Sequence, residues 1–181
     1  MTSRTPKPSI VPFSLLMSVY QGDAVEPLKV ALESVVCHQT NLPSELVLVI
    51  DGPISTRLKD VIHAVDKASQ VPFKLVELPE NKGLAFALNE GLRHCKHEWV
   101  ARMDADDYAM PNRFEVSHAF IQDNPHISIF GTQIGESALD RPESFVKFRL
   151  KTVPIAHQDI MSYMCFRSPV NHPSVFCRKS A

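Results

Sequence analysis

Several strong signals are missing from this sequence. The 181 residues carry a formal net charge of −1, and the eight His are scattered. That removes the electrostatic case for wholesale nucleic-acid binding. No apolar run approaches the roughly 18–20 residues needed to span a bilayer. The opening MTSRTPKPSIVP lacks the apolar stretch of a signal peptide. The four Cys (Cys37, Cys95, Cys165 and Cys177) form no C-x-x-C pair, so they read as free thiols in a reducing compartment. Repeats, low-complexity tracts and internal linkers are also lacking. What remains is a composition with 44% hydrophobic and 22% charged residues, ordinary for a globular protein. The length suffices for one domain with a real core. The cytoplasm is the expected compartment, and residues 1–12 read as a loose lead-in.

The patterning that is present alternates. FSLLMSVY (13–20) has the length of a strand. The next segment, 27–39, places Leu28, Leu32, Val35 and Val36 on one helical face, with Pro27 near its start. ELVLVID (45–51) is a nearly continuous aliphatic run, as expected of a strand buried on both faces. Residues 55–69 predict a helix capped by Ser55. FKLVEL (73–78) predicts a strand, 83–95 a helix with Leu84, Leu88 and Leu92 four apart, and 98–104 another strand. Further on, the spacing predicts a helix over 112–124, strands over 127–134 and 144–150, and a helix over 154–166. The β-α-β-α-β-α-β order argues for an open α/β, mostly parallel sheet flanked by helices. Ligands of such sheets bind beyond the carboxyl ends of the strands, where Tyr20, Asp51 and Asp104 are predicted to lie.

The segment RMDADDYAMPNRFE (102–115) places Asp104, Asp106 and Asp107 at the end of the fourth strand. Alternation puts Asp104 and Asp106 on one side. Two carboxylates about 5 Å apart repel by roughly 3 kcal/mol at an effective dielectric near 20. Such a pair either raises a pKa or holds a cation. Oxygen-only ligands favour a hard ion, and Mg²⁺-type ions complete one or two carboxylates with water and phosphate oxygens. Other readings stand beside this one. Asp107 has the place of a cap for the helix near Pro111. Asp104, Asp106 and Glu115 partly match an EF-hand register, but Ala109 stands where that loop needs Gly. A D-x-D phosphatase nucleophile belongs on the first strand rather than the fourth. The HCKH stretch (94–97) reads as a helix tail rather than a zinc site.

The chain resembles family-2 glycosyltransferases, the inverting group with a GT-A (Rossmann-like) fold, and above all the bacterial members that build exopolysaccharide, capsule and O-antigen. The resemblance rests on LLMSVYQGD (15–23), LVLVIDGP (46–53), ENKGLAFALNEGL (80–92), ARMDADDYAMPNRFE (101–115) and NHPSVFCRKSA (171–181), in family order. It implies a nucleotide-diphospho-sugar donor, UDP by preference, a saccharide or lipid-linked acceptor, and Mn²⁺ or Mg²⁺. Ser18, Val19 and Tyr20 would line the base and ribose, and Asp51 would hydrogen-bond the base edge. Asn81 and Lys82 would lie in the loop over the nucleotide. Asp104, Ala105 and Asp106 would form the D-x-D motif, with Asp106 on the metal and Asp104 on ribose or metal. Tyr20 and Lys82 also admit blander roles, in packing and as a solvated loop lysine. Arg102 either neutralises the carboxylates or points to solvent.

The sequence departs from the family pattern in places. Ile50 stands where the family often has an acid, and Gln21 where it often has Asn. The resemblance divides the chain into a nucleotide-sugar half (13–110) and the start of an acceptor half (111–181). The base that takes the acceptor proton is usually an acid further downstream. Asp140, Glu143 and Asp159 lack that context, so the base is expected beyond Ala181 and the chain reads as a fragment. Peripheral association with the inner membrane face is a further implication for the full-length protein. Two other classes remain in view. A sugar-phosphate nucleotidyltransferase wants a Gly-rich basic loop after the first strand, which YQGDAVEP does not provide. A non-catalytic divalent-metal or nucleotide-binding module would bind metal regardless of nucleotide.

Overall fold

A computed structural model describes residues 11–137 and 148–181. Asp140, Glu143 and the first part of the strand expected at 144–150 lie outside the described residues, as does nearly all of the lead-in. The first half alternates as expected: β1 (Phe13–Tyr20), α1 (Val25–Val36), β2 (Glu45–Asp51), α2 (Thr56–Ala68), β3 (Phe73–Glu77), α3 (Leu84–His94) and β4 (Trp99–Arg102). Then come α4 (Arg113–Asp123), β5 (Ile129–Phe130), β6 (Ile134–Glu136), β7 (Arg149–Lys151), α5 (His157–Met164), a 3-10 turn (His172–Ser174) and β8 (Phe176–Arg178).

The main sheet has the order β3-β2-β1-β4-β8-β5. Its first four strands are parallel, as their helical crossovers require. Every residue of β2 is buried, because helices cover both faces. Alternation sorts the side chains. Leu15, Met17, Leu46 and Leu48 join Leu28, Leu32, Leu58 and Ile62 of α1 and α2 in one core. Leu16, Val47, Val49 and Val100 meet Ala87 of α3 in the other. Ser55 caps α2 as predicted, accepting the Leu58 N–H at 3.3 Å.

Two expectations change in the second half. The strand predicted over 127–134 breaks into β5, on the sheet edge, and β6, which leaves the sheet to pair antiparallel with β7. The unpredicted β8 enters antiparallel between β4 and β5. It is held by an aromatic cluster: the Phe176 ring stacks on Phe130 at 5.4 Å and lies 5.3 Å from Phe13. The helix predicted over 154–166 shortens to α5, which buries none of its residues.

Candidate active site

The parallel strands end at one edge. Tyr20 and Asp51 are the last residues of β1 and β2, paired across the sheet, and Asp104 follows β4 by two positions. A cleft of about 390 Å³ opens there. Ser18, Tyr20 and Asp23 line it from the β1 end, Asp51, Asn81, Gly83 and Leu84 from the side of β2 and α3, and Asp104, Ala105 and Asp106 from the β4 end. Seven of the nine residues singled out from the sequence for the nucleotide-sugar and the metal, all but Val19 and Lys82, therefore meet in one place: Ser18, Tyr20, Asp51, Asn81, Asp104, Ala105 and Asp106. Val19 belongs to the buried core and lines no part of the cleft. Lys82 turns its ammonium to Glu80, 3.3 Å away, and to the Phe86 ring, 5.0 Å below. It touches this site through its backbone.

Asp51 holds the neighbouring loop. Its Oδ1 accepts the Lys82 N–H at 2.8 Å and its Oδ2 the Gly83 N–H at 2.9 Å. Asn81 adds a bond from its side-chain amide to the Asp51 carbonyl. The close approach also explains Gly52. Its φ is +83°, and a Cβ there would lie 2.5 Å from the Asn81 nitrogen. Each Asp51 oxygen retains a second acceptor direction.

The aspartates after β4 have separate surroundings. Arg102 grips Asp104 Oδ1 through Nε at 3.1 Å and Nη2 at 2.9 Å, which settles the orientation of Arg102 left open by the sequence. Asp106 is exposed. Asp107 is not a helix cap: α4 begins after Asn112, with no side-chain cap bond. Burial, reinforced by Asp106 and then Asp104, pushes its carboxyl up to about 6, against the pull of Arg113 and Arg102. Asp23 is likewise raised, by burial first and by Asp106 and Asp104 in smaller part, while the Tyr20 N–H opposes the shift.

Beyond Asp106 lies a second cavity of about 420 Å³. Met103, Asp107 and Arg113 line it on one side and Thr132, Gln133 and Pro173 on the other, and Asp106 borders both spaces. Arg113 ties these walls together, donating from Nη2 to the carbonyls of Arg102 (2.6 Å) and Pro173 (2.7 Å). Its burial lowers the guanidinium pKa to about 10, with Asp107 and Asp104 acting in the opposite direction.

Asp23, Leu84 and Arg113 were not assigned roles from the sequence. Asp23 sits in the quoted first motif, three positions after Tyr20, where an Asp often closes a turn. The other two carry no local signal. Asp159 is exposed on α5 and lines neither cavity. Among the described residues no three His, Cys, Asp or Glu side chains converge on one point; an Mg²⁺-type ion takes one or two carboxylates and completes its shell with water and phosphate oxygens.

A parallel sheet with an acidic D-x-D at the end of a central strand and a cleft beside it is the arrangement of GT-A glycosyltransferases. The chain belongs to glycosyl transferase family 2, whose sequence profile matches residues 14–172. It is 39% identical to the amylovoran biosynthesis glycosyltransferase AmsE of Erwinia amylovora, over 92% of this chain and 60% of that protein. It is 34% identical to the UDP-Gal:alpha-D-GlcNAc-diphosphoundecaprenol beta-1,3-galactosyltransferase of Escherichia coli, over 99% of this chain and 61% of that protein. The chain thus spans about three fifths of these relatives. Its fold matches the mannosyltransferase PcManGT of Pyrobaculum calidifontis, solved with GDP-Man and Mn²⁺, at a TM-score of 0.63 and 20% identity, over 98% of this chain and 47% of that one.

Proposed function

We propose that this chain forms the donor site of a glycosyltransferase that moves a sugar from a nucleotide-diphospho-sugar, UDP by preference, to a saccharide or lipid-linked acceptor with inversion. The observation that carries this reading is the convergence of Tyr20, Asp51, Asn81, Asp104 and Asp106 on one cleft at the carboxyl edge of the sheet. Residues 13–110 supply the nucleotide-sugar half, and the segment from 111 begins the acceptor half. The names of the Escherichia coli and Erwinia relatives support a bacterial polysaccharide role.

In this reading Tyr20 and Ser18 face the base and ribose, and the free acceptor directions of Asp51 take an N–H of the base edge. Asp106, exposed and next to both cavities, and the Asp104 oxygen not held by Arg102 are the ligands of Mg²⁺ or Mn²⁺. Such an ion supplies positive charge that stabilises the diphosphate as it leaves. The acceptor hydroxyl approaches from the second cavity. Its oxygen forms the new bond to the anomeric carbon as the bond to diphosphate breaks, and the nucleoside diphosphate departs with that electron pair. Asp106 and Asp107 are the only described acids that line the second cavity. The base is assigned to the part of the relatives' length that this chain does not span. No described helix is long and apolar enough to cross a membrane, and the full-length protein is proposed to work in the cytoplasm, peripheral to the inner membrane face.

Calorimetric titration with UDP and GDP, each with and without Mn²⁺, tests the donor site. Metal-dependent binding of one nucleotide, lost in Asp106→Ala, is expected. Metal binding that is indifferent to nucleotide would instead favour a non-catalytic metal module.

A further inference from the structure

We infer that Asp23 is a positioning residue of the donor site, and that its task is to hold Tyr20 as a stacking platform for the nucleobase. The inference rests on the donor-site reading above. Tyr20 ends β1, and Asp23 clasps it at both main-chain groups. The Tyr20 N–H donates to Asp23 Oδ2 at 2.9 Å, and the Asp23 N–H donates to the Tyr20 carbonyl at 3.1 Å. The chain therefore reverses in a four-residue turn that is closed twice.

The ring of Tyr20 lies back over this turn. A Cβ built on Gly22 would come 2.4 Å from the phenol oxygen and 2.5 Å from two ring carbons. Among the described residues only Gly52 and Gly83 have positive φ, so Gly22 is required for space and not for backbone conformation. The ring fills the place a side chain would take. Tyr20 remains 48% exposed and, with Asp23, borders the cleft. A flat aromatic face, pinned at its backbone and open to a polar cleft, is a stacking surface for a base. Asp23 acts through Oδ2, which accepts the Tyr20 N–H, so the role inferred for it is that of a hydrogen-bond acceptor and not of a charge in the metal site.

Asparagine separates the two roles, because its amide oxygen accepts the same N–H without the charge. The chain and its Asp23→Ala, Asp23→Asn and Gly22→Ala variants are titrated with UDP over a series of Mn²⁺ concentrations. Asp23→Ala should weaken UDP by about five- to tenfold, the worth of one good hydrogen bond. Asp23→Asn should recover to within about twofold of the parent. Gly22→Ala, which displaces the ring, should behave like Asp23→Ala. The Mn²⁺ concentration for half-saturation should stay fixed throughout. An Asn variant as weak as the Ala variant, with a shifted Mn²⁺ midpoint, would make Asp23 a charge of the metal site and overturn the inference, as would an Ala variant of undiminished affinity.

A second readout needs no nucleotide. The Gly22 α-protons lie against the Tyr20 ring, so their ring-current shift in NMR should vanish in Asp23→Ala and return in Asp23→Asn. A parent chain that binds neither UDP nor GDP removes the donor-site reading, and the Gly22 shift still decides whether Asp23 holds the ring: an unchanged shift in Asp23→Ala refutes it.

Discussion

The carboxylate of Asp51 holds the backbone N–H of Lys82 at 2.8 Å, across 31 positions of chain. With its partner bond to Gly83, this contact fixes the loop that enters α3 and forms one wall of the cleft. A residue expected to read a base is thus also the anchor of the segment that closes over it.

Asp51→Ala should cost about 2–4 kcal/mol, since two bonds to a buried carboxylate disappear and two amides lose their partner. Asp51→Asn, which keeps an acceptor for only one of them, should lose less. Urea unfolding measures the difference. Hydrogen exchange should locate it, with protection falling at Lys82 and Gly83. Equal stability of the parent and the Ala variant would mean the loop is held by other contacts.

Asp106→Ala should abolish metal-dependent nucleotide binding without lowering the melting temperature. The side chain is exposed, and its removal relieves repulsion on Asp107 and Asp23. A drop in melting temperature comparable to a core substitution would show a structural part for Asp106.

Arg113 joins the end of β4 to the 3-10 turn through the carbonyls of Arg102 and Pro173. Arg113→Met, similar in length but without donors, should cost about 2–4 kcal/mol. Arg113→Lys should recover little, because one ammonium does not reproduce the fork. Full rescue by Lys, followed by thermal unfolding, would show that charge and not geometry matters there.

His118 gives a pH signature. Its ring stands edge-on to Phe13 at 5.2 Å, and burial lowers its pKa below 6.5, with the Val11 backbone opposing the shift. The unfolded chain therefore takes a proton near 6.5 that the folded chain resists, so this group removes stability as pH falls below about 6.5, by at most about 1.4 kcal/mol per pH unit. Asp107 acts in the opposite sense, because its folded carboxyl gains a proton near 6. The comparison is accordingly between the parent and His118→Phe, by urea midpoints at pH 7 and 5.5. The parent should lose more on acidification. Identical losses would dismiss the assignment.

The first half of the fold was legible in the sequence because its signals are local. An unbroken aliphatic run marks β2, four-residue spacing marks α3, and a Ser before an amphipathic stretch marks the start of α2. The short strands were not. The three residues of β8 form a strand only because β4 and β5 lie on either side, and the aromatic contacts that hold them join distant parts of the chain. The site shows the same division. The positions of Tyr20, Asp51, Asp104 and Asp106 followed from where strands end. The partners of Asp51 and Asp23 are backbone amides, which no pattern of residue types reveals. Val19 was counted with its neighbours in a motif, and strand alternation turns its side chain into the core.

The place of β8 in the sheet also bears on synthesis. The strand that precedes the aspartates has its outer edge covered by residues made about eighty positions later, Trp99 pairing with Arg178. At ~5–20 residues per second that edge waits on the order of 4–16 s on the ribosome. During this interval an unpaired strand, Trp99–Arg102, is open to the wrong neighbour. The β8 segment therefore acts as a closing seal, and a nascent chain released before residues 176–178 emerge should aggregate through the strand that leads to Asp104 and Asp106.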